Sequence, residues 1–407
     1  MAAPGDLDRT FSGDGKVTTD FGGSAFARAV AIQPDRKIVA VGRPPNRLGG
    51  GFAVARYTPS GALDPTFGAG GRVLGRFGDD FSDGAFDVAI QDDGRIVVVG
   101  TANNSTFAIA RLLPTGESDP SFSGDGIQTV SFSDAEDDQD MASGVAIDSQ
   151  GRIVVIGTHH SNDTRSYSFF AVARLKLDGS LDRSFSGDGR TLIDPDRVGL
   201  APANHGEDVA IQPDGRLLLV GGTGTYKSLF ALVRLRSDGG LDRTFGEAGV
   251  VRHSFGDGAT AYAVDIQSDG RIVVVGEHNS SDASQPPTRP ALVRYRPSGR
   301  LDRTFSRDGR QTTEFSGREG SFQDVAIRGK TIVAAGIAGG RMGVARYLLS
   351  GRLDRRFSGD GRRTIDFGDG RDGAYGLDVY RNGRAVLAGF HRGSNARRDF
   401  ALARLEG

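Results

Sequence analysis

Leu7-Asp8-Arg9-Thr10-Phe11 is the stretch that decides how this chain folds, because it returns six times. The copies are LDPTF at Leu63, SDPSF at Ser118, LDRSF at Leu181, LDRTF at Leu241 and Leu301, and LDRRF at Leu353. The motif Asp stands at 8, 64, 119, 182, 242, 302 and 354, so the spacings are 56, 55, 63, 60, 60 and 52. Seven units, 7–62, 63–117, 118–180, 181–240, 241–300, 301–352 and 353–407, account for nearly all of the 407 residues. A period of this size means a solenoid, a propeller or an array. No unit can bury a core alone, so 1–407 is read as one domain of stacked repeats.

Within the first unit, Lys16 to Phe21, Arg28 to Gln33, Lys37 to Gly42 and Phe52 to Tyr57 are short runs divided by polar turns. Runs of four to seven residues are strands, and none is long enough for a helix. Asp93-Gly94, Asp214-Gly215, Asp269-Gly270 and Asn382-Gly383 supply the positive φ of a tight hairpin between the second and third runs. The second, third and fourth runs are apolar with little alternation, as in strands covered on both faces. The prediction is an all-β, seven-bladed β-propeller of four-stranded antiparallel blades. The first run of each unit becomes the outer strand of the preceding blade. The orphan run Gly15 to Phe21 then completes the last blade and closes the ring without an open edge.

The bulk numbers narrow the function. Net charge is −1, which gives the whole molecule no electrostatic case for nucleic acid. Cysteine is absent, so disulfides and thiolate chemistry are excluded. No apolar run reaches 18 residues, and no membrane insertion is expected. Of 50 basic residues only five are Lys, which reads as the codon bias of a GC-rich genome. Met1-Ala2-Ala3-Pro4-Gly5 reads as a mature end beyond a small-residue cleavage site. That points outside a bacterial cell or onto its surface; the alternative is a cytoplasmic start.

The consensus LDxxF, VAIQPDGR, IVVVG and FALAR resembles the delta-60 repeat family of bacterial proteins. The match includes Leu63 to Gly68, Gln212 to Arg216 and Phe400 to Arg404, and it extends over all seven units. Ser118, Arg356 and the shortened Arg328-Gly329-Lys330 turn depart from it. The resemblance implies a propeller and no particular activity.

Groups present seven times are read as scaffold. Arg56, Arg111, Arg174, Arg234, Arg294, Arg346 and Arg404 share one position, and each is expected to pair with a motif Asp. The motif Phe residues are expected between blades. The SGDG turns at Ser12, Ser123, Ser186 and Ser358 faintly resemble a calcium loop, but one Asp each is too few, so no cofactor is assigned and calcium is kept as the alternative. Asp134 to Asp140 carries five carboxylates and is read as a solvated loop, with a divalent cation as its alternative.

Function is sought where the units disagree. Turns at one end of each blade are uniform and loops at the other end vary, which is the layout of a binding face. At the start of the innermost strands stand Arg28, Phe86, Asp87, Glu207, Asp208, Tyr262, Gln323, Asp324 and Tyr375, a candidate ligand site at the channel mouth. His159, His278 and His391 fall at equivalent positions and are read as outer-loop polar residues, with no metal assigned. The expected protein is a monomeric, non-catalytic propeller that binds a protein, a glycan or a small molecule. The rival is a propeller hydrolase or lyase using Glu207, Asp208 and His205, with Asp87 and Asp324 opposite.

Overall fold

A computed structural model describes the chain apart from residues 1, 46–50, 79–83, 104, 136–137, 163–166, 196–202, 225–227, 282–285, 317 and 395. Among the described residues the strands form seven antiparallel sheets of four, and no helix occurs. The innermost strands are Phe26–Ile32, Gly84–Ile90, Gln139–Ile147, His205–Ile211, Ala259–Ile266, Gly320–Arg328 and Arg371–Val379, and they number the blades 1 to 7. Each is followed outward by the next two strands of its own unit and by the first strand of the next. The fold is the predicted seven-bladed propeller.

Every blade buries both faces. In the second strand of blade 1, Val39 and Val41 pack with Val88, Ile96 and Val98 of blade 2, while Ile38 and Ala40 pack with Val386 and Leu402 of blade 7. Alternate residues thus serve opposite neighbours, which is why the runs show no polar face.

Blade 7 takes its outer strand, Lys16–Thr19, from the start of the chain, with Lys16 opposite Ala403 and Thr19 opposite Phe400. The closure is double. Ala3 to Gly5 fill the place that Pro59-Ser60-Gly61 holds in blade 1: the Ser358 N–H donates to the Pro4 carbonyl at 2.9 Å, as Ser12 N–H donates to Ser60 at 2.7 Å. The stretch read above as a cleavage remnant therefore has a structural job of its own.

The LDxxF motif is a socket for the repeated Arg. In all seven copies the Arg Nε donates to Oδ2 of the motif Asp at 2.7–3.1 Å, and the last pair joins Arg404 to Asp8 across the closure. The guanidinium lies over the motif Phe, 4.4–4.9 Å from the ring centre. In six copies it also donates to a turn carbonyl of the following blade: Pro114, Leu177, Ser237, Pro297, Leu349 and Pro59. Oδ1 of the Asp accepts from the residue two places on, which explains the Thr or Ser of the motif, as in Thr66 at 2.7 Å and Ser121 at 2.6 Å. Burial pushes the Asp64 carboxyl up, but Thr66, Lys37 and Arg56 outweigh it and hold it at about 2.

Each motif Asp has a second base. Lys37, Arg95, Arg152, Arg216, Arg271 and Arg384, from the turns that follow the innermost strands, reach Asp64, Asp119, Asp182, Asp242, Asp302 and Asp8 within 3.5 Å. The shortened turn of blade 6 brings no such residue to Asp354. There Arg356, which replaces the motif hydroxyl, supplies the second guanidinium at 2.9 Å. Two departures from the repeat that look independent in the sequence compensate each other.

Two outcomes test the scaffold. Deleting residues 1–21 removes the outer strand of blade 7 and the carboxylate of Arg404, so the melting temperature falls sharply; an unchanged melting curve would sink the closure. Arg111→Ala strips the buried Asp119 of its main partner and empties the Phe122 stack, at a cost on the order of 3 kcal/mol in chemical denaturation.

Candidate functional site at the channel mouth

Each innermost strand breaks register with its neighbour once. The breaks lie between Ala27 and Ala29, Ala85 and Asp87, Ala142 and Gly144, Gly206 and Asp208, Ala261 and Ala263, Phe322 and Asp324, and Ala374 and Gly376. The unpaired residues are therefore Arg28, Phe86, Ser143, Glu207, Tyr262, Gln323 and Tyr375. A β-bulge of this kind adds one residue and re-aims its side chain. The glycine closing each IVVVG-type run is the bulge's counterpart. A Cβ on Gly42, Gly157 or Gly221 would stand 2.1, 1.9 or 1.8 Å from a carbonyl oxygen of the bulged strand.

Seven bulges thus present seven half-buried side chains to the channel, and only tyrosine occurs twice. The Arg28 guanidinium stacks on Tyr375, Phe26 and Phe86, at 4.5, 5.0 and 5.5 Å. It makes no hydrogen bond or ion pair with any described residue. Burial lowers its pKa, Tyr375 and Glu207 raise it, and Arg398 and Arg43 lower it. Glu207, on blade 4, senses Arg28 without bonding to it; burial pushes its carboxyl up to about 7 against the pull of Arg28. Burial likewise raises the Tyr262 hydroxyl, which interacts with Glu277. The Gln323 amide donates to Ser321 at 2.8 Å.

Below this ring the predicted Asp residues have another task. Oδ1 of Asp87, Asp208 and Asp324 accepts the next N–H of its own strand at 2.7 Å. Oδ2 accepts an N–H of the following blade, from Val145, Val264 and Leu377, at 2.8, 2.9 and 2.6 Å. Asp265 and Asp378 do the same two residues further along the strand, clipping to Ile327 at 2.6 Å and Ile32 at 2.8 Å. The three Asp residues expected to touch ligand are therefore inter-blade clips. Burial raises Asp87 to about 7, helped by the charge of Asp208, while its two N–H donors pull the other way. Burial raises Asp208 to about 6 and Asp324 well above its ordinary value.

The outer histidines stand on strands rather than in loops. His159, 4% exposed, shares a hydrogen bond with Asp140 at 2.7 Å, and His391 shares one with Asp372 at 2.7 Å. Asp140 and Asp372 also accept N–H groups of Phe132 and Phe367 from the preceding segment, so each Asp–His pair fastens that segment to its blade. His278 faces Ala259 instead and stacks on Phe255 at 5.1 Å. His205, the partner considered for a hydrolytic site, opens the innermost strand of blade 4 and is exposed. In the SGDG turns Asp14, Asp125, Asp188 and Asp360 each close their own turn by accepting an N–H two residues on, at 2.9 Å. Within the acidic stretch, Glu136 and Asp137 lie outside the described residues. Sequence reasoning missed Ser143 and the clips Asp265 and Asp378; the terminal glycine of each third run was the signal for the bulges.

Five segments, 33–67, 91–122, 149–185, 212–245 and 267–305, match the model of a domain of unknown function, DUF5122, described as a β-propeller. This chain is a β-propeller repeat protein. No curated protein matches it significantly. Among solved structures it is similar to Sqt1 from Chaetomium thermophilum, at 13% identity over 96% of this chain and 100% of that one, with a TM-score of 0.50. It is also similar to a protein of unknown function from Dyadobacter fermentans (11% identity, 96% and 97% covered, TM-score 0.47). A gluconolactonase from Xanthomonas campestris shows 12% identity, 82% and 92% covered and a TM-score of 0.40. These likenesses concern the fold alone.

The channel carboxyls set a pH dependence. A carboxyl whose pKa is higher in the folded than in the unfolded chain binds its proton more tightly when folded. Stability therefore falls as pH rises from the unfolded value, near 4, through the folded values of about 6 to 7 for Asp208, Asp87 and Glu207. Thermal unfolding across pH 4 to 8 should show this decline, less steep in Glu207→Gln. A melting temperature that climbs steadily over that range contradicts the assignment.

Proposed function

We propose that this chain is a non-catalytic binding propeller of the delta-60 type, whose ligand seats on the bulge residues at the channel mouth. One contrast carries the reading. The Arg socket, the motif Phe and the bulge glycine are the same in every blade, because packing dictates them. The seven bulge positions carry six residue types. Among them are an aromatic-stacked guanidinium with no polar partner among the described residues and a carboxyl raised to about 7. A guanidinium that packs on aromatic rings and has no polar partner keeps its N–H groups available for a carboxylate. The tyrosines, Gln323 and Glu207 suit hydroxyl groups. The ligand class that fits is a small molecule bearing a carboxylate and several hydroxyls, an acidic sugar being the simplest.

A hydrolase or lyase is the second reading, favoured by Glu207 alone. A carboxyl near 7 is poised for acid–base work at neutral pH. The Asp residues that would complete such a site each commit both oxygens to backbone N–H groups, and that supports the binding reading over this one.

Differential scanning fluorimetry with oligogalacturonates, against neutral oligosaccharides as controls, tests the proposal. Wild-type protein is expected to be stabilised by the acidic sugars, with at least a tenfold loss of affinity in Arg28→Gln. Absence of any shift, or a shift that survives Arg28→Gln and Tyr375→Ala, refutes it. Release of shortened sugar that stops in Glu207→Gln would favour the enzyme.

A further inference from the structure

The opposite face of the ring, built from the uniform turns, is uniform in only part of its circumference. The turn after each innermost strand reads Gln-Pro-Asp-Arg at 33–36, Gln-Asp-Asp-Gly at 91–94, Asp-Ser-Gln-Gly at 148–151, Gln-Pro-Asp-Gly at 212–215 and Gln-Ser-Asp-Gly at 267–270. In the last two blades it reads Arg-Gly-Lys at 328–330 and Tyr-Arg-Asn-Gly at 380–383. Basic residues occur at these positions only in blades 6, 7 and 1, which are consecutive around the closed ring. Blades 2 to 5 carry acidic residues there and no base.

These departures meet in one place. A groove of roughly 1080 Å³ opens between blades 7 and 1, lined by Arg36, Arg328, Tyr380 and Arg381 among others. The molecule contains its own control. The equivalent groove between blades 3 and 4, of about 700 Å³, has Asp148, Ser149 and Gly215 where the first has Tyr380, Arg381 and Arg36. Both grooves keep two guanidinium groups at equivalent positions, Arg152 and Arg174 in the one and Arg384 and Arg404 in the other, so the difference is the three further Arg residues of the groove between blades 7 and 1.

Arg36 carries the second observation. Its φ is +70°, at the position that Gly94, Gly151, Gly215, Gly270 and Gly383 occupy with φ of 76–88°. A side chain is strained in that region, so Arg there is disfavoured where Gly is the local rule. Its backbone carbonyl is held by the Tyr380 hydroxyl at 3.0 Å, across the blade junction. Arg328 is tied to Asp378 at 3.4 Å and to the Val379 carbonyl at 3.1 Å. The guanidinium groups of Arg36 and Arg381 make no hydrogen bond or ion pair with any described residue, and both residues line the groove.

We propose that this groove is a second binding site, for a small molecule carrying two or more adjacent anionic oxygens of the phosphate or carboxylate type. Arg36 and Arg381 clamp the anion from either side of the blade junction, and the Tyr380 ring forms the wall between them. The site lies on the face away from the bulge ring and is independent of it.

Isothermal titration at low salt with inorganic pyrophosphate and, separately, citrate tests the site. The variant Arg36→Gly with Arg381→Ser installs the residues that blades 4 and 3 already use, so it folds. The first change should also raise the melting temperature by relieving the positive φ. The expected result is saturable binding of at least one of the two anions, weakened tenfold or more in the double variant and unchanged in Arg28→Gln. Which anion binds separates the phosphate class from the carboxylate class. Absence of saturable binding to either, an unchanged affinity in the double variant, or a loss in Arg28→Gln that matches it overturns the proposal.

Discussion

The guanidinium of the third strand, seated in the LDxxF socket of its own unit, is the interaction on which the rest of the ring depends. It joins three things that would otherwise be loosely connected: the strand that carries it, the segment leading to the outer strand, and a turn of the following blade. A buried cation is tolerable only if its charge is answered and its N–H groups are used. The motif meets that condition residue by residue, with a carboxylate, a hydroxyl and an aromatic face. The pairing of Arg404 with Asp8 applies the same bond to chain ends almost four hundred residues apart, so closure repeats the contact made at every other blade.

Once this socket and the two-sided burial of each blade are in place, little of the sequence is free to vary. Alternate residues of each inner run must fill two interfaces, and the glycine that ends each third run must leave room for the facing carbonyl. The bulge residue is the exception. It has no register partner and faces the channel, so a change there disturbs neither ladder nor core. Diversity collects at that position for a physical reason, and the chemistry found there, one cation among aromatic rings facing one raised carboxyl, is asymmetric as an unsymmetrical ligand would require.

The departures from the repeat divide by cause. Arg356 and the shortened turn of blade 6 restore the charge balance of Asp354 and need no ligand to explain them. Ala3 to Gly5 complete a split turn, with Gly5 bonded to Glu406 at 2.9 Å in the manner of a continuous one. Arg36 has no such compensation, since it accepts backbone strain where five other blades use glycine.

The sequence by itself determined the blade count, the four strands of each blade, the strand exchange at closure and the Arg–Asp partnership. Each of these repeats seven times, and repetition separates scaffold from accident without any coordinates. It also located six of the seven bulge residues, because they differ where their neighbours agree. It did not separate Asp87, Asp208 and Asp324 from the bulge residues beside them. Only the strand register shows that Glu207 is the unpaired residue of the bulge, while its neighbour Asp208 accepts a backbone N–H from the next blade. It also placed His159 and His391 in loops, because their partners Asp140 and Asp372 lie 19 residues away and meet them only through strand register. The charge reversal between two equivalent grooves was likewise written in the turns. Only the closed ring brought residues 36 and 381 to the same groove, because their adjacency is a consequence of closure and not of sequence distance.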